Sequence, residues 1–305
     1  MDELAFKNII ETIEKKNLKA ESLIITERER EYRHFFVPEK LTDIRSIAKT
    51  ITTLCLGIAI TKGYFKDGIE TFVLPYFKDI EITNEANSKY LELIQIKHLL
   101  THTMGHDKQL LDKSHLKALS DDINLVKYVL NYPLKHAPGE YFCYSNAPIY
   151  LLSVIIEKVT GMKLQEFAKQ EIMDKMNINF NWSESKEHHT WGATGLETLP
   201  TDLHKLGKLF LDSGKYNELQ IVPNSWLEEM RTFRVLTPTW YIESTPLPKY
   251  GYGYNLWICE NGIYYKDGTD AQYMIINPNK NILITITAND QENRHKILKC
   301  LKEIL

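Results

Sequence analysis

The chain has 305 residues, 43% of them hydrophobic, with 37 Lys and Arg against 40 Asp and Glu and a formal net charge of −3. That much apolar content can bury a large core, as one big domain or two interleaved lobes. Acids and bases are interspersed with no basic stripe, so a nucleic-acid partner is not expected and a small or neutral molecule is.

The N-terminus, Met1 to Lys7, begins acidic and lacks the apolar h-region of a signal peptide. The longest apolar stretch, Leu54 to Ile60, is too short to span a bilayer. Cys55, Cys143, Cys259 and Cys300 are scattered with no Cys-x-x-Cys pair and read as reduced thiols. The expectation is a cytoplasmic chain with no membrane partner; its oligomeric state is not legible.

Residues 2–16 place Leu4, Ile9, Ile10 and Ile13 on one face, an amphipathic helix with acids first and lysines last. Leu23 to Thr26 and Tyr32 to Val37 read as two short strands about a charged turn. Residues 44–62 then spell a helix that is apolar on most sides, with Ile47, Ile51, Leu54 and Ile58 at helical spacing and a stop at Gly63. Short helices and loops follow: a compact helix from Ile94 to Met104, an exposed polar excursion from Asp107 to Asn124, and a helix from Leu125 to Leu130. A turn at Pro138-Gly139, an apolar helix from Ile149 to Val159, a helix from Leu164 to Met176 and a loop over 177–192 come next. Pro200-Thr201-Asp202 starts another helix with Thr201 as N-cap, Pro223 opens one more, and 235–250 is a loop. Four strands close the chain, Tyr254 to Cys259, Ile263 to Lys266, Gln272 to Ile276 and Ile282 to Ala288, before a last helix over 291–305. The Asn-Gly and Asn-Pro-Asn turns between them make the sheet antiparallel. The fold class expected is α+β, an antiparallel sheet flanked by helices. An α/β lobe is built from residues 1–62 and 203–305, and a mostly helical lobe, 63–202, is inserted between them.

Ser46 and Lys49 share one face of the first turn of the buried helix. Desolvation and the positive end of the helix dipole both disfavour a charged lysine there, leaving an amine able to take a proton from a neighbouring hydroxyl. That is how a weak serine becomes a nucleophile. Ser-x-x-Lys occurs twice more, at Ser114/Lys117 and Ser183/Lys186, but both lie in polar, solvated stretches.

Two further motifs follow in order: Tyr144-Ser145-Asn146 on a loop after a turn, and Lys266-Asp267-Gly268-Thr269 opening a C-terminal strand. With Ser46-Ile47-Ala48-Lys49 they make a set that resembles the serine β-lactamase and penicillin-binding protein superfamily, most closely its class C and esterase-like branch. The segments Ile96 to Gly105, Gly195 to Leu203 and Gln220 to Pro223 also look like that family.

The resemblance implies Ser46 as the acylated nucleophile, with Lys49 and Tyr144 sharing the base role as a coupled set. It implies an oxyanion hole from the backbone N–H groups of Ser46 and Thr269, with Gly268 allowing close approach of the strand. Lys266 would anchor a substrate carboxylate or tune Tyr144, and Asn146 would hydrogen-bond an acyl-side amide. No metal or other cofactor is expected, since the histidines form no ligand spacing; His98 and His102 read as structural.

Asp267 stands where β-lactamases usually carry Thr or Ser, and the Gly-x-x-x-Gln-Tyr run after it looks like the 6-aminohexanoate-oligomer hydrolase branch. These departures favour a cytoplasmic esterase or amidase acting on a small ester or amide. A β-lactamase, a D-aminopeptidase or D,D-carboxypeptidase, and a non-catalytic penicillin-binding-type sensor remain the alternatives. The acyl and leaving groups stay open.

Overall fold

The computed structural model describes residues 1–120, 122–239, 247–301 and 304. In chain order, α1 (Glu3–Lys15) precedes β1 (Ala20–Glu27), β2 (Arg30–Phe35), β3 (Thr42–Asp43) and α2 (Ala48–Thr61). Helices α3 (Ser88–Leu91), α4 (Ile96–Leu100), α5 (Lys113–Ala118) and α6 (Leu125–Asn131) lead to α7 (Ala147–Thr160) and α8 (Leu164–Ala168). Next come β4 (Phe180–Trp182), β5 (Leu196–Thr198), α9 (Pro200–Lys208), β6 (Lys215–Tyr216), β7 (Leu219–Gln220) and α10 (Asn224–Arg231). The last part holds β8 (Val235–Leu236), β9 (Gly251–Tyr252), β10 (Trp257–Ile258), β11 (Tyr264–Gly268), β12 (Gln272–Asn277), β13 (Ile282–Ala288) and a closing helix, Arg294–Leu301.

Both ends of the chain build one sheet. Among the described residues its order is β2-β1-β13-β12-β11-β10-β9-β8, and every neighbouring pair is antiparallel. The strands are apolar on both faces because both faces are covered. Ile284 and Ile286 of β13, Ile275 of β12 and Ile25 of β1 pack against Phe6, Ile9 and Ile13 of α1 and Ile297 and Leu298 of the closing helix. Alternate residues, Leu283, Met274, Ile276 and Tyr264, join the larger core with α2, α7, α9 and α10, the two-residue period of a strand sorting side chains between the faces.

Helix α2 is buried from Ala48 to Ala59, which is why its sequence is apolar on most sides. Gly57 in its middle is a steric requirement, since a Cβ there would lie 2.1 Å from the Trp226 ring of α10. The Trp226 indole N–H donates to Thr53 O at 2.8 Å, locking that crossing.

Local expectations were corrected in several places. Ser46 lies on a single 3-10 turn, Arg45–Ile47, that feeds α2. The buried face of α1 is Phe6, Ile9 and Ile13, while Leu4 is 66% exposed. Thr201 is inside α9, not its cap; Leu199 is the N-cap and the Thr201 N–H donates to Glu39 Oε1 at 2.9 Å. The excursion 107–124 includes α5, and Leu110 and Leu111 are buried. Within 177–192 lies β4, part of a small β3-β5-β4 sheet, and 235–250 begins with β8. Residues 240–246, and 302, 303 and 305 of the expected last helix, fall outside the described residues.

Candidate active site

The turn that carries Ser46 starts from an unusual backbone. Arg45 has φ 54°, a region ordinary L residues rarely enter, and its N–H donates to Asp43 Oδ1 at 2.8 Å. Ser46 is half-buried, whereas Lys49 one turn on is fully buried. Lys49 Nζ meets three oxygens: Ser46 Oγ at 2.9 Å, Asn146 Oδ1 at 2.7 Å and Ala193 O at 2.9 Å. An amide oxygen and a backbone carbonyl can only accept, and a hydroxyl can donate. A neutral amine has two N–H groups and one lone pair. Its two hydrogens match Asn146 and Ala193, and its lone pair is left for the Ser46 proton. Burial supplies the protonation state: desolvation, partly opposed by the Asp267 charge, brings the Lys49 pKa down to about 7.

The Tyr144-Ser145-Asn146 loop is held against α2 by a chain of bonds the sequence did not reveal. The Ser145 backbone N–H donates to His102 Nδ1 at 3.2 Å, so the ring proton sits on Nε2, which donates to Asn255 Oδ1 at 3.0 Å. Asn255 Nδ2 donates to Thr53 Oγ1 at 2.9 Å, and Thr53 Oγ1 donates to Lys49 O at 2.8 Å. Burial and the charges of Lys266 and Lys49 keep the His102 pKa well below its ordinary value, so this ring is a neutral strut. Asn255 holds left-handed backbone, φ 57°, and no spacing in the sequence links it to His102.

Tyr144 is sandwiched. Its ring centroid lies 4.7 Å from that of His102 and 5.5 Å, nearly parallel, from that of Trp257. Lys49 Nζ and Lys266 Nζ are 5.1 Å and 4.7 Å from its centroid. The loop thus sets the Tyr144 ring beside both lysine amines, one of which reaches Ser46 Oγ. Asn146 is engaged at both ends, accepting from Lys49 and donating from Nδ2 to Leu111 O at 2.9 Å. One amide hydrogen remains beyond those bonds.

Along β11 the alternation separates the third motif. Lys266 and Gly268 face α2, and Asp267 faces away. Lys266 is fully buried and donates to Tyr252 Oη at 2.7 Å; burial and the neighbouring Lys49 charge depress its pKa well below the ordinary value. Asp267 accepts from Lys249 Nζ at 3.0 Å and from Trp257 Nε1 at 2.7 Å. Burial pushes its carboxyl up, but the charges of Lys249, Arg294 and Lys266 prevail and hold it at about 2. The unexpected carboxylate of this motif is therefore an anchor behind the strand. Gly268 permits contact with the serine turn: a Cβ on it would lie 2.7 Å from Arg45 Cβ and 2.8 Å from Ile44 O. Thr269, next in line, is exposed.

A half-exposed serine, a buried lysine beside it, and a strand crossing at contact distance define an α+β fold of the β-lactamase and transpeptidase type. The beta-lactamase family model matches residues 23–299, and the chain belongs to that family, a family of serine hydrolases that includes esterases, amidases and β-lactamases. It is 26% identical over 197 residues to the lovastatin esterase of Penicillium rubens, covering 58% of this chain and 49% of that protein. The chain spans half or less of the length of the curated relatives it matches. Among solved structures it is similar to EstCE1, a hydrolase with promiscuous acyltransferase activity, with a TM-score of 0.78, 16% identity and 98% of each chain covered. It is also similar to a protein described as a 6-aminohexanoate-dimer hydrolase from Bacillus anthracis, with a TM-score of 0.77, 18% identity, and 97% of this chain and 80% of that chain covered. At that identity the structural likenesses establish the fold. Among the described residues, no helix is long and apolar enough to cross a membrane.

Proposed function

We propose that the chain is a serine hydrolase that works through an acyl-enzyme on a small ester or amide. The observation that carries this reading is the Lys49 amine, buried, flanked by two obligate acceptors and 2.9 Å from Ser46 Oγ. Lys49 takes the Ser46 proton as Oγ bonds to the substrate carbonyl carbon, and the carbonyl electrons move onto oxygen. The N–H groups of Ser46 and Thr269 receive that oxyanion. Ser46 is the second residue and Thr269 the first of three-residue turns, positions whose N–H groups precede the first acceptor of the turn. Collapse expels the alcohol or amine, which takes a proton from the Lys49–Tyr144 set. The same set then draws a proton from water, whose attack releases the acid and restores Ser46.

Burial of Lys266 and its bond to Tyr252 favour a role in tuning Tyr144 over capture of a substrate carboxylate. Asn146 orients Lys49 and offers its remaining amide hydrogen to an acyl-side carbonyl. A preference for esters or amides over β-lactams follows from the Asp267 departure and from the Gly268-to-Tyr273 run.

The test is turnover of p-nitrophenyl acetate or butyrate with a pre-steady-state burst, lost in Ser46→Ala and in Lys49→Ala. Persistence of turnover in both variants rejects the assignment. Parallel assays with nitrocefin and D-amino-acid amides decide the acyl class, and a stable adduct without turnover identifies a sensor instead.

A further inference from the structure

The two backbone N–H groups assigned above to the oxyanion belong to segments far apart in the chain. The residue just before one of them, Arg45, and the residue just after the other, Asp270, are joined by an ion pair. Arg45 Nε donates to Asp270 Oδ2 at 3.0 Å and Nη2 lies 2.9 Å from the same oxygen, across 225 residues of sequence. Resting on the oxyanion assignment, we infer that the Arg45–Asp270 pair is a positioning device, a tether that fixes the spacing of the Ser46 and Thr269 amides.

Both ends of the tether are built for a fixed geometry. Arg45 has φ 54°, and Asp270 and Ala271 have φ 64° and 68°, so three residues without glycine's freedom hold left-handed backbone at this rim. Arg45 is fixed from its own side by Asp43, which accepts from its N–H at 2.8 Å and from Nη1 at 2.8 Å. Asp270 is fixed by the third side, its N–H donating to Gln291 Oε1 at 2.7 Å and its C=O accepting from Asp290 N–H at 3.2 Å. Gly268 lets the two segments come into contact; the ion pair limits how far they part.

Stability does not account for such an arrangement. The Arg45 and Asp270 side chains are 41% and 26% exposed, and solvent-exposed pairs add little to stability. Donor geometry toward a developing oxyanion matters far more, since removing one such donor costs about 10²–10³ in rate.

The experiment compares Arg45→Gln, Asp270→Asn and the double variant on p-nitrophenyl butyrate, together with the rate of Ser46 labelling by a fluorophosphonate, whose phosphoryl oxygen takes the oxyanion position. Asn tolerates the left-handed backbone as Asp does, so Asp270→Asn removes charge without changing that preference. Expected is a fall in kcat and in labelling rate of about tenfold in each single variant. The double variant is expected to be no worse than either, with KM and Tm nearly unchanged. Additive losses, a normal Asp270→Asn, or losses that follow a fall in Tm would overturn the tether. Arg45→Gln impaired beside an intact Asp270→Asn would mean that the guanidinium acts by its charge or through Asp43, which also overturns it. Ser46→Ala run alongside separates the two readings. If it retains turnover the hydrolase assignment fails; if it is inactive while the rim variants are normal, only the tether fails.

Discussion

Asn146 and Lys49, 97 residues apart in the chain, meet at 2.7 Å. A neutral amide accepts from the amine there, and its neutrality is what lets burial bring the Lys49 pKa to about 7. The acid limb of kcat/KM should therefore fall near neutrality, with activity rising as pH passes 7 and the amine loses its proton. Asn146→Asp puts a carboxylate at the same place, stabilises the ammonium and moves that limb to higher pH. A pH–rate profile unmoved by Asn146→Asp would show that another group titrates.

Asp267→Asn makes the opposite shift. The Asp267 charge raises the Lys49 pKa against desolvation, so neutralising it moves the acid limb to lower pH. The same change takes the carboxylate from buried Lys249. Breaking a buried pair on one side costs about 3–5 kcal/mol, and the variant should melt well below the parent in calorimetry. A lower Tm with an unmoved limb would confine Asp267 to a purely structural part.

Lys49→Met tests protonation through stability. Between about 7 and the ordinary 10.5 the unfolded chain holds a proton that the folded chain does not, so stability rises with pH across that window. Below it, the fold bears the full cost of a buried ammonium. The methionine variant, inactive, should gain most in Tm at pH 6 and progressively less towards pH 10. A gain independent of pH would mean that Lys49 holds its proton equally in the folded and unfolded chain, as a solvated lysine does.

Gly268→Ala should spare folding and remove catalysis. Its Cβ would press on Arg45 Cβ and on Ile44 O, parting the strand from the serine turn by a few tenths of an ångström or more. A drop in kcat of about 10²-fold is expected, with circular dichroism preserved. Retained activity would show that the strand can shift without disturbing the carbonyl site.

What the sequence revealed follows from the physics of each signal. The helix after Ser46 was legible because a segment buried on all sides is apolar on most of them. The hairpins from Trp257 to Ala288 were legible because Asn-Gly and Asn-Pro-Asn turns mark them off. Strands of two or three residues, such as Phe180–Trp182 and Val235–Leu236, are too short to display a period. Ser46, Lys49, Tyr144 and Lys266 could be picked out because motif spacing is local. Ala193 could not, since it contributes a carbonyl that every residue possesses. His102, Tyr252 and Asn255 act through contacts made only after the sheet folds back on α2, and no interval along the chain encodes them. Leu4 and Thr201 were misjudged because a helical wheel does not say which side neighbours will cover, nor that Glu39 would arrive to serve the N-terminus of α9.

The pairing of β1 with β13, register Ile25 to Ile284, also constrains how the molecule comes into being. The first long strand made waits for the last one, so during translation the early hairpin has an open edge that only residues 282–288 can close. A message cut short before that point yields a chain with every catalytic motif and no finished sheet, a species prone to chaperone capture or aggregation. The Ser46 turn, Gly268 and the rim ion pair come together only once residues 282–288 have closed the sheet, and a copy cut short before them lacks an assembled site.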